Sequence, residues 1–322
     1  MKTISHPTET ARRNEQNNPL VIGVLGAKGG AGATTIAVNL SSAFGQAGST
    51  TLLDANLQQP DAALILAREP RFSLLDLLTR APEIEQQVFE ACCCEFPGQP
   101  HSRLISPPLD GHAGAAANLS MVANCLPQIQ HYSNRWIVDL PRNLDRHLVN
   151  MLDKCTILTL VMEANLISLA AARRWFSIFS DLGYCDEAIV VILNRVGKKL
   201  KYMEEQVLTA LAGRTVVKIP DASALTEECA IAGKPVVIKY PRDGFSKAVR
   251  ELVQSIESNT PSSGQQSLQE KIKNRVLDSV STDGKYGKHR SQYQIQNQIQ
   301  HHGTEIGTKL RRTGFINNRV VI

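Results

Sequence analysis

The sequence predicts an α/β fold, a mostly parallel central sheet flanked by helices. Three observations carry that expectation. Short apolar runs alternate with stretches of helical periodicity between residues 19 and 258. A glycine-rich turn follows the first of these runs. Finally, Gly26, Asp54, Asp139 and Asn194 each close an apolar run, and parallel sheets bind ligands at the carboxyl ends of their strands.

Leu20 to Leu25 is apolar and short, which suits a strand buried on both faces. From Thr34 to Gln46 the apolar residues Ile36, Leu40, Ala43 and Phe44 repeat at helical spacing, and Gly48 stands where a helix stops. Thr50 to Leu53 predicts a strand ending at Asp54. Phe72 to Leu78 and Ile84 to Ala91 read as helical, and Arg103 to Ile105 as a short strand. The Pro, Gly and His residues from Pro97 to Gly114 otherwise read as loop. Asn118 to Gln130 predicts a helix that Pro127 ends or bends. Trp136 to Asp139, Thr156 to Val161, Ala188 to Leu193 and Thr215 to Ile219 read as strands, with helices over Ser168 to Leu182 and Ser246 to Ser258.

Charge is unevenly distributed. The chain carries +5, but residues 259–322 hold ten basic and four acidic residues, so that tail is +6 and the rest −1. The tail also holds eight glutamines between Gln265 and Gln300, a composition that buries too little apolar surface to offset chain entropy, so disorder is expected. Three segments follow: a polar extension over 1–18, an α/β domain over 19–258 and a basic Gln-rich tail over 259–322. No apolar run reaches the ~20 residues of a membrane span, and Met1 to Asn18 is polar, so a cytoplasmic protein is expected. The seven cysteines include consecutive Cys92, Cys93 and Cys94 but no CxxC pair, which favours reduced thiols over a zinc site. His101, His112, His131 and His147 are scattered and imply no chemistry.

The chemistry concentrates in Gly26 to Thr35. Glycines let backbone N–H groups converge on a phosphate, and the following helix adds positive character at its N-terminus. A hydroxyl placed after the loop, Thr34, is suited to Mg²⁺. The plain pattern Gly-x-x-x-x-Gly-Lys-(Ser/Thr) fails, because Ala27 stands at its first glycine and Ala33 at its lysine.

Lys28-Gly29-Gly30-Ala31-Gly32-Ala33-Thr34-Thr35 resembles instead the deviant Walker A motif, Lys-Gly-Gly-x-Gly-Lys-(Ser/Thr)-Thr, of the MinD/ParA P-loop ATPases. It keeps that family's early lysine and lacks the later one. Leu52 to Asn56 resembles the Walker A′ strand, Ile137 to Pro141 Walker B, Leu193-Asn194-Arg195 the adenine-reading Asn-Arg motif, and Ile219-Pro220-Asp221 with Ala230 to Val236 the closing segment. Within the family, Leu53 to Leu64 and Ser73 to Leu78 resemble the CpaE/TadZ branch of Flp (Tad) pilus assembly.

The resemblance implies a three-layer P-loop fold and the cofactors ATP and Mg²⁺. Gly29 to Thr35 would cradle phosphates, with Thr35 at the α-phosphate. Thr34, Asp54 and Asp139 would serve the metal, partly through water. Asn194, Arg195 and Pro220 would serve the base, and Lys28 would reach across a nucleotide-bridged homodimer. Catalysis would fall to Lys28, Asp54 and Asn56. Asn56, however, replaces a water-orienting aspartate and Ala33 removes a cation, so slow or absent hydrolysis is expected. The function implied is a nucleotide-dependent scaffold for pilus or secretion assembly, in peripheral contact with the inner membrane. The alternatives are a DNA-binding partitioning ATPase, using the basic tail and Lys198, Lys199 and Lys201, and a membrane-cycling ATPase anchored by Lys309 to Ile322.

Overall fold

The first apolar run forms strand β1 (Leu20–Gly26), buried from Val21 onward and central in the sheet. The computed structural model describes residues 19–109, 117–197 and 201–260. The expected N-terminal extension, His112, Lys198, Lys199 and the tail beyond residue 260, with its expected disorder and anchor, lie outside them.

The other strands are β2 (Thr50–Asp54), β3 (Cys94–Phe96), β4 (Gln99–Ile105), β5 (Arg135–Leu140), β6 (Ile157–Glu163), β7 (Ile189–Val196) and β8 (Thr215–Pro220). The order across the sheet is β3-β4-β2-β5-β1-β6-β7-β8. Every neighbouring pair is parallel except β3 with β4. The expected α/β fold with a mostly parallel sheet is therefore what the chain adopts.

The helices are α1 (Ala33–Phe44), α2 (Ala62–Ile65), α3 (Leu74–Leu78), α4 (Gln86–Cys92), α5 (Leu119–Ile129), α6 (Arg146–Leu152), α7 (Leu166–Asp181), α8 (Lys201–Ala210), α9 (Ser223–Ile231), α10 (Val236–Lys239) and α11 (Gly244–Asn259). Successive strand residues face opposite layers. Ile22 and Val24 join one core with Ile36, Leu40 and Phe44 of α1 and Val249 and Leu252 of α11. Val21 and Leu25 join the other, with Leu126 of α5, Met151 of α6 and Phe179 of α7. Each such fully buried side chain contributes about 1.5–3 kcal/mol.

The stretch Pro97 to Gly114 is not simply loop: Pro97 and Gly98 turn a β3–β4 hairpin, and β4 extends back to Gln99. Pro100 and His101 fall within an irregularity, where the register jumps from Phe96↔Gln99 to Glu95↔Arg103. A proline has no N–H to give a ladder and is tolerated where pairing breaks. Helices α6, α8 and α9 were also not expected. Helix α6 is capped by Asp145, whose carboxylate accepts from the N–H groups of His147 and Leu148, both at 2.8 Å. No helix among the described residues is long and apolar enough to cross a membrane.

Candidate phosphate and metal site

The strand order determines which chain ends meet. β1 lies between β5 and β6, so the loop that leaves β1 is flanked by whatever leaves those two strands. The loop is tied to β6 at once, through Ala27 N–H to the Val161 carbonyl at 2.8 Å. It then turns into α1 at Gly32, which holds φ +92°. A side chain there would also meet Asn194 Nδ2 at 2.5 Å, so both backbone and space demand glycine. No side chain caps α1, which leaves the N–H groups of its first turn without a side-chain acceptor, a cradle of the kind that suits a phosphate.

Below the cradle, the two carboxylates expected at strand ends are brought together. Asp54 and Asp139 are register partners on β2 and β5, and both are 0% exposed. Thr34 Oγ1 donates to Asp139 Oδ2 at 2.7 Å, and Asn56 Nδ2 donates to the same oxygen at 3.0 Å. Asp139 Oδ1 is buried and has no hydrogen-bond partner. A buried carboxylate oxygen without a partner is costly, and here it lies beside the threonine hydroxyl that a Mg²⁺ ion needs. The residues present therefore fit a divalent cation and its waters.

The Asp54 carboxylate is occupied differently. Its oxygens accept the backbone N–H groups of Asn56 at 3.0 Å and Ala62 at 3.1 Å. It braces the turn after β2, and the geometry favours Thr34 and Asp139 over Asp54 as the metal-facing pair. Burial pushes Asp54 up to about 7 against the pull of those N–H groups. Burial also raises Asp139 well above the ordinary carboxylate range, helped by the Asp54 charge and opposed by Thr34 and Asn56.

The rim of the site differs from the sequence expectation in its partners. Lys28 Nζ lies 2.7 Å from Glu163 Oε2, and Arg195 NH1 lies 2.7 Å from Glu163 Oε1. Asn165 donates to Glu163 as well, at 3.0 Å. Despite the cost of its burial, these donors hold the Glu163 carboxyl below its usual range. Arg195 has a left-handed backbone, φ +56°, and donates to the Gly30 carbonyl at 2.7 Å. Asn194 is buried and donates to the Ala31 carbonyl at 2.8 Å. Both residues of the Asn-Arg pair thus brace the phosphate loop. Beside them an open groove of about 320 Å³ is lined by Thr35, Asn39, Arg195, Thr226, Lys234 and Pro235, among others. Pro220 ends β8 next to Val196 and is not among the residues lining this groove.

Sequence reasoning did not single out two side chains beside the loop: Glu163, which pairs with Lys28 and Arg195, and Arg142, whose guanidinium lies 3.3–3.5 Å from where a Cβ on Gly29 would stand. Glu163 ends β6, and Arg142 follows β5 by two residues. The available signal was position alone, at the carboxyl ends of the strands that prove to flank β1. The cysteines contribute nothing here. Burial pushes the thiols of Cys92 and Cys93 up to about 11 and about 12, and no cluster of three metal-ligating side chains occurs among the described residues.

No family model matches the chain. In sequence it is 25% identical over 246 residues to an uncharacterized ATP-binding protein of Methanocaldococcus jannaschii, covering 72% of this chain and 86% of that protein. It is 24% identical over 211 residues to the septum site-determining protein MinD of Thermotoga maritima, covering 63% of this chain and 75% of that one. In fold it is similar to a ParA family ATPase from Chlorobium tepidum, with a TM-score of 0.67 and 21% identity, covering 73% of this chain and 98% of the other.

Proposed function

We propose that this chain, which its sequence relatives and its fold support as a MinD/ParA-type P-loop protein, binds ATP with Mg²⁺ and hydrolyses it slowly or not at all. The carrying observation is the buried pair beneath the cradle: Thr34 bonded to Asp139 Oδ2, with Asp139 Oδ1 left for a metal-bound water. Thr34 and Asp139 would hold the ion, which when bound would neutralise phosphate charge. The N–H groups at the start of α1 and the glycine loop would hold the phosphates, and the groove beside Thr35 would take the nucleoside.

Slow turnover follows from two side chains. Asn56 has its amide nitrogen committed to Asp139 at 3.0 Å, and an amide cannot take the proton of an attacking water. Ala33 leaves no ammonium at the position where the resemblance expects one. Asn56 also donates to Asp139 Oδ2, a bond that an aspartate at this position could not make. We extend the proposal to a domain over 19–258 followed by a basic tail, to a homodimer, and to a scaffold role in Flp (Tad) pilus or secretion assembly at the cytoplasmic face of the inner membrane. Its support is the likeness of Leu53 to Leu64 and Ser73 to Leu78 to the CpaE/TadZ branch, and a switch of this kind can operate on binding alone.

The test is ATP affinity and phosphate release for wild type and for Ala33→Lys with Asn56→Asp. The reading expects Mg²⁺-dependent binding in both and turnover only in the double variant. Absence of nucleotide binding by the wild type would overturn it.

A further inference from the structure

We propose that Arg142 is the phosphate-neutralising cation of this loop, replacing in cis the lysine that Ala33 lacks. The inference rests on the reading of the loop as an ATP site and identifies the side chain that would carry its positive charge.

Topology brings Arg142 there. β5 runs beside β1 in parallel register, with Val24 opposite Asp139 and Leu25 opposite Leu140. The chain leaving β5 at Leu140 therefore passes the chain leaving β1 at Gly26, and Arg142 is the second residue beyond the strand. Its side chain lies along the loop. A Cβ placed on Gly29 would be 3.3 Å from Arg142 NH2 and 3.5 Å from both Cζ and NH1, and one placed on Gly26 would be 3.7 Å from Arg142 Cδ. The methyl of Ala33 stands 3.6 Å from that same point above Gly26. The Arg142 stem and the Ala33 methyl thus both border the space above Gly26, and the guanidinium lies over Gly29.

Two other cations beside the loop, Lys28 and Arg195, are already paired. Glu163 holds both Lys28 and Arg195 at 2.7 Å, so one carboxylate offsets two positive charges. Arg142 has no hydrogen bond or ion pair to any described residue, and its side chain is exposed at the mouth of the loop. The nearest acidic residue in sequence, Asp145, is engaged by the N–H groups of His147 and Leu148. A planar guanidinium with free donors matches phosphate oxygens in a two-pronged way that an ammonium cannot.

The experiment measures affinities of full-length protein for ATP, ADP and AMP with Mg²⁺, in wild type, Arg142→Ala, Arg142→Lys and Arg142→Ala combined with Ala33→Lys. Melting temperatures are read on the same samples. A charged hydrogen bond of this kind predicts that Arg142→Ala weakens ATP by about tenfold or more, ADP less, and AMP by less than about twofold. Arg142→Lys should lose part of that, and the lysine at position 33 should restore most of it, with melting unchanged throughout. Unaltered ATP affinity in Arg142→Ala would make the guanidinium an ordinary solvated side chain and overturn the inference while leaving the ATP reading intact. Equal loss for all three nucleotides would assign Arg142 to loop structure and overturn it likewise. A wild type that binds no ATP removes both.

Discussion

The floor and the rim of the site are built on different principles. On the floor, Asp54 and Asp139 are fully excluded from water: Asp139 accepts from Thr34 of α1 and from Asn56 beyond the neighbouring β2, and Asp54 accepts from the N–H of Ala62 beyond its own strand. On the rim, the side chains of Lys28, Glu163 and Arg195 are 27%, 18% and 43% exposed, and their ion pairs face solvent. Buried polar groups lose heavily when a partner is removed, whereas exposed ion pairs are screened and contribute about 0–1 kcal/mol. The two departures from the motifs that the sequence resembles divide between these regions. Asn56 is bonded into the floor, whereas Ala33 removes a charge from the phosphate-facing side, where other cations remain. The floor keeps Thr34 beside a free Asp139 oxygen, the arrangement proposed to hold a metal, and the rim is where charge differs from the motif that the loop resembles.

Changes to the floor should therefore have the largest effects. Asp139→Ala removes the acceptor of both Thr34 and Asn56 and the free oxygen beside them. Mg²⁺-dependent ATP affinity should fall by about 100-fold, equivalent to about 2.7 kcal/mol. Titration with and without EDTA measures this, and a loss of less than about threefold would show that floor and rim do not differ as described. Next comes Gly32→Ala, which forces a side chain into a left-handed backbone and against Asn194. A cost of about 1–3 kcal/mol is expected, a fall in melting temperature of several degrees. An unchanged melting curve would mean that the loop relaxes freely.

A smaller effect concerns pH. Asp54 and Asp139 have folded-state values raised above the unfolded 3.8, so the folded protein holds more protons than the unfolded chain between roughly pH 4 and 7. Their contribution to stability is present at low pH and is lost as pH rises through that window. Melting of the metal-free protein, compared with Asp54→Asn, should show the variant gaining relative stability as pH rises from 5 to 8. A pH-independent difference would contradict it. The smallest stability effect belongs to Glu163→Gln on the rim. Melting should shift by no more than about 1 kcal/mol, while ATP affinity rises several-fold because Lys28 and Arg195 lose their competing carboxylate. Weaker ATP binding in that variant would mean that Glu163 positions the two cations rather than restraining them.

Many residues of the floor were legible in the sequence because each is marked by its local setting, although their meeting depends on strand order. A strand followed by a glycine turn and a helix specifies the cradle, and Asp54 and Asp139 announce themselves by ending apolar runs. The rim was hidden because it depends on strand order. Nothing in the run Ile157 to Glu163 says that its last residue will stand beside Lys28, and nothing near Arg142 says that β5 neighbours β1. The β3–β4 hairpin escaped notice for another reason, since Pro100 and His101 disguise a strand by sitting where its pairing is irregular. Helix α9 was missed because its apolar residues form no single stripe, and it buries only Cys229 fully.

The proposed site binds Mg²⁺ and ATP and lacks two of the parts that hydrolysis needs. The most direct test is ATP binding and phosphate release measured together on the unmodified full-length protein. Saturable, Mg²⁺-dependent binding with phosphate release no faster than a protein-free control is the predicted result. Release approaching the ~1 s⁻¹ at the low end of ordinary enzymes, or no binding at all, would contradict it.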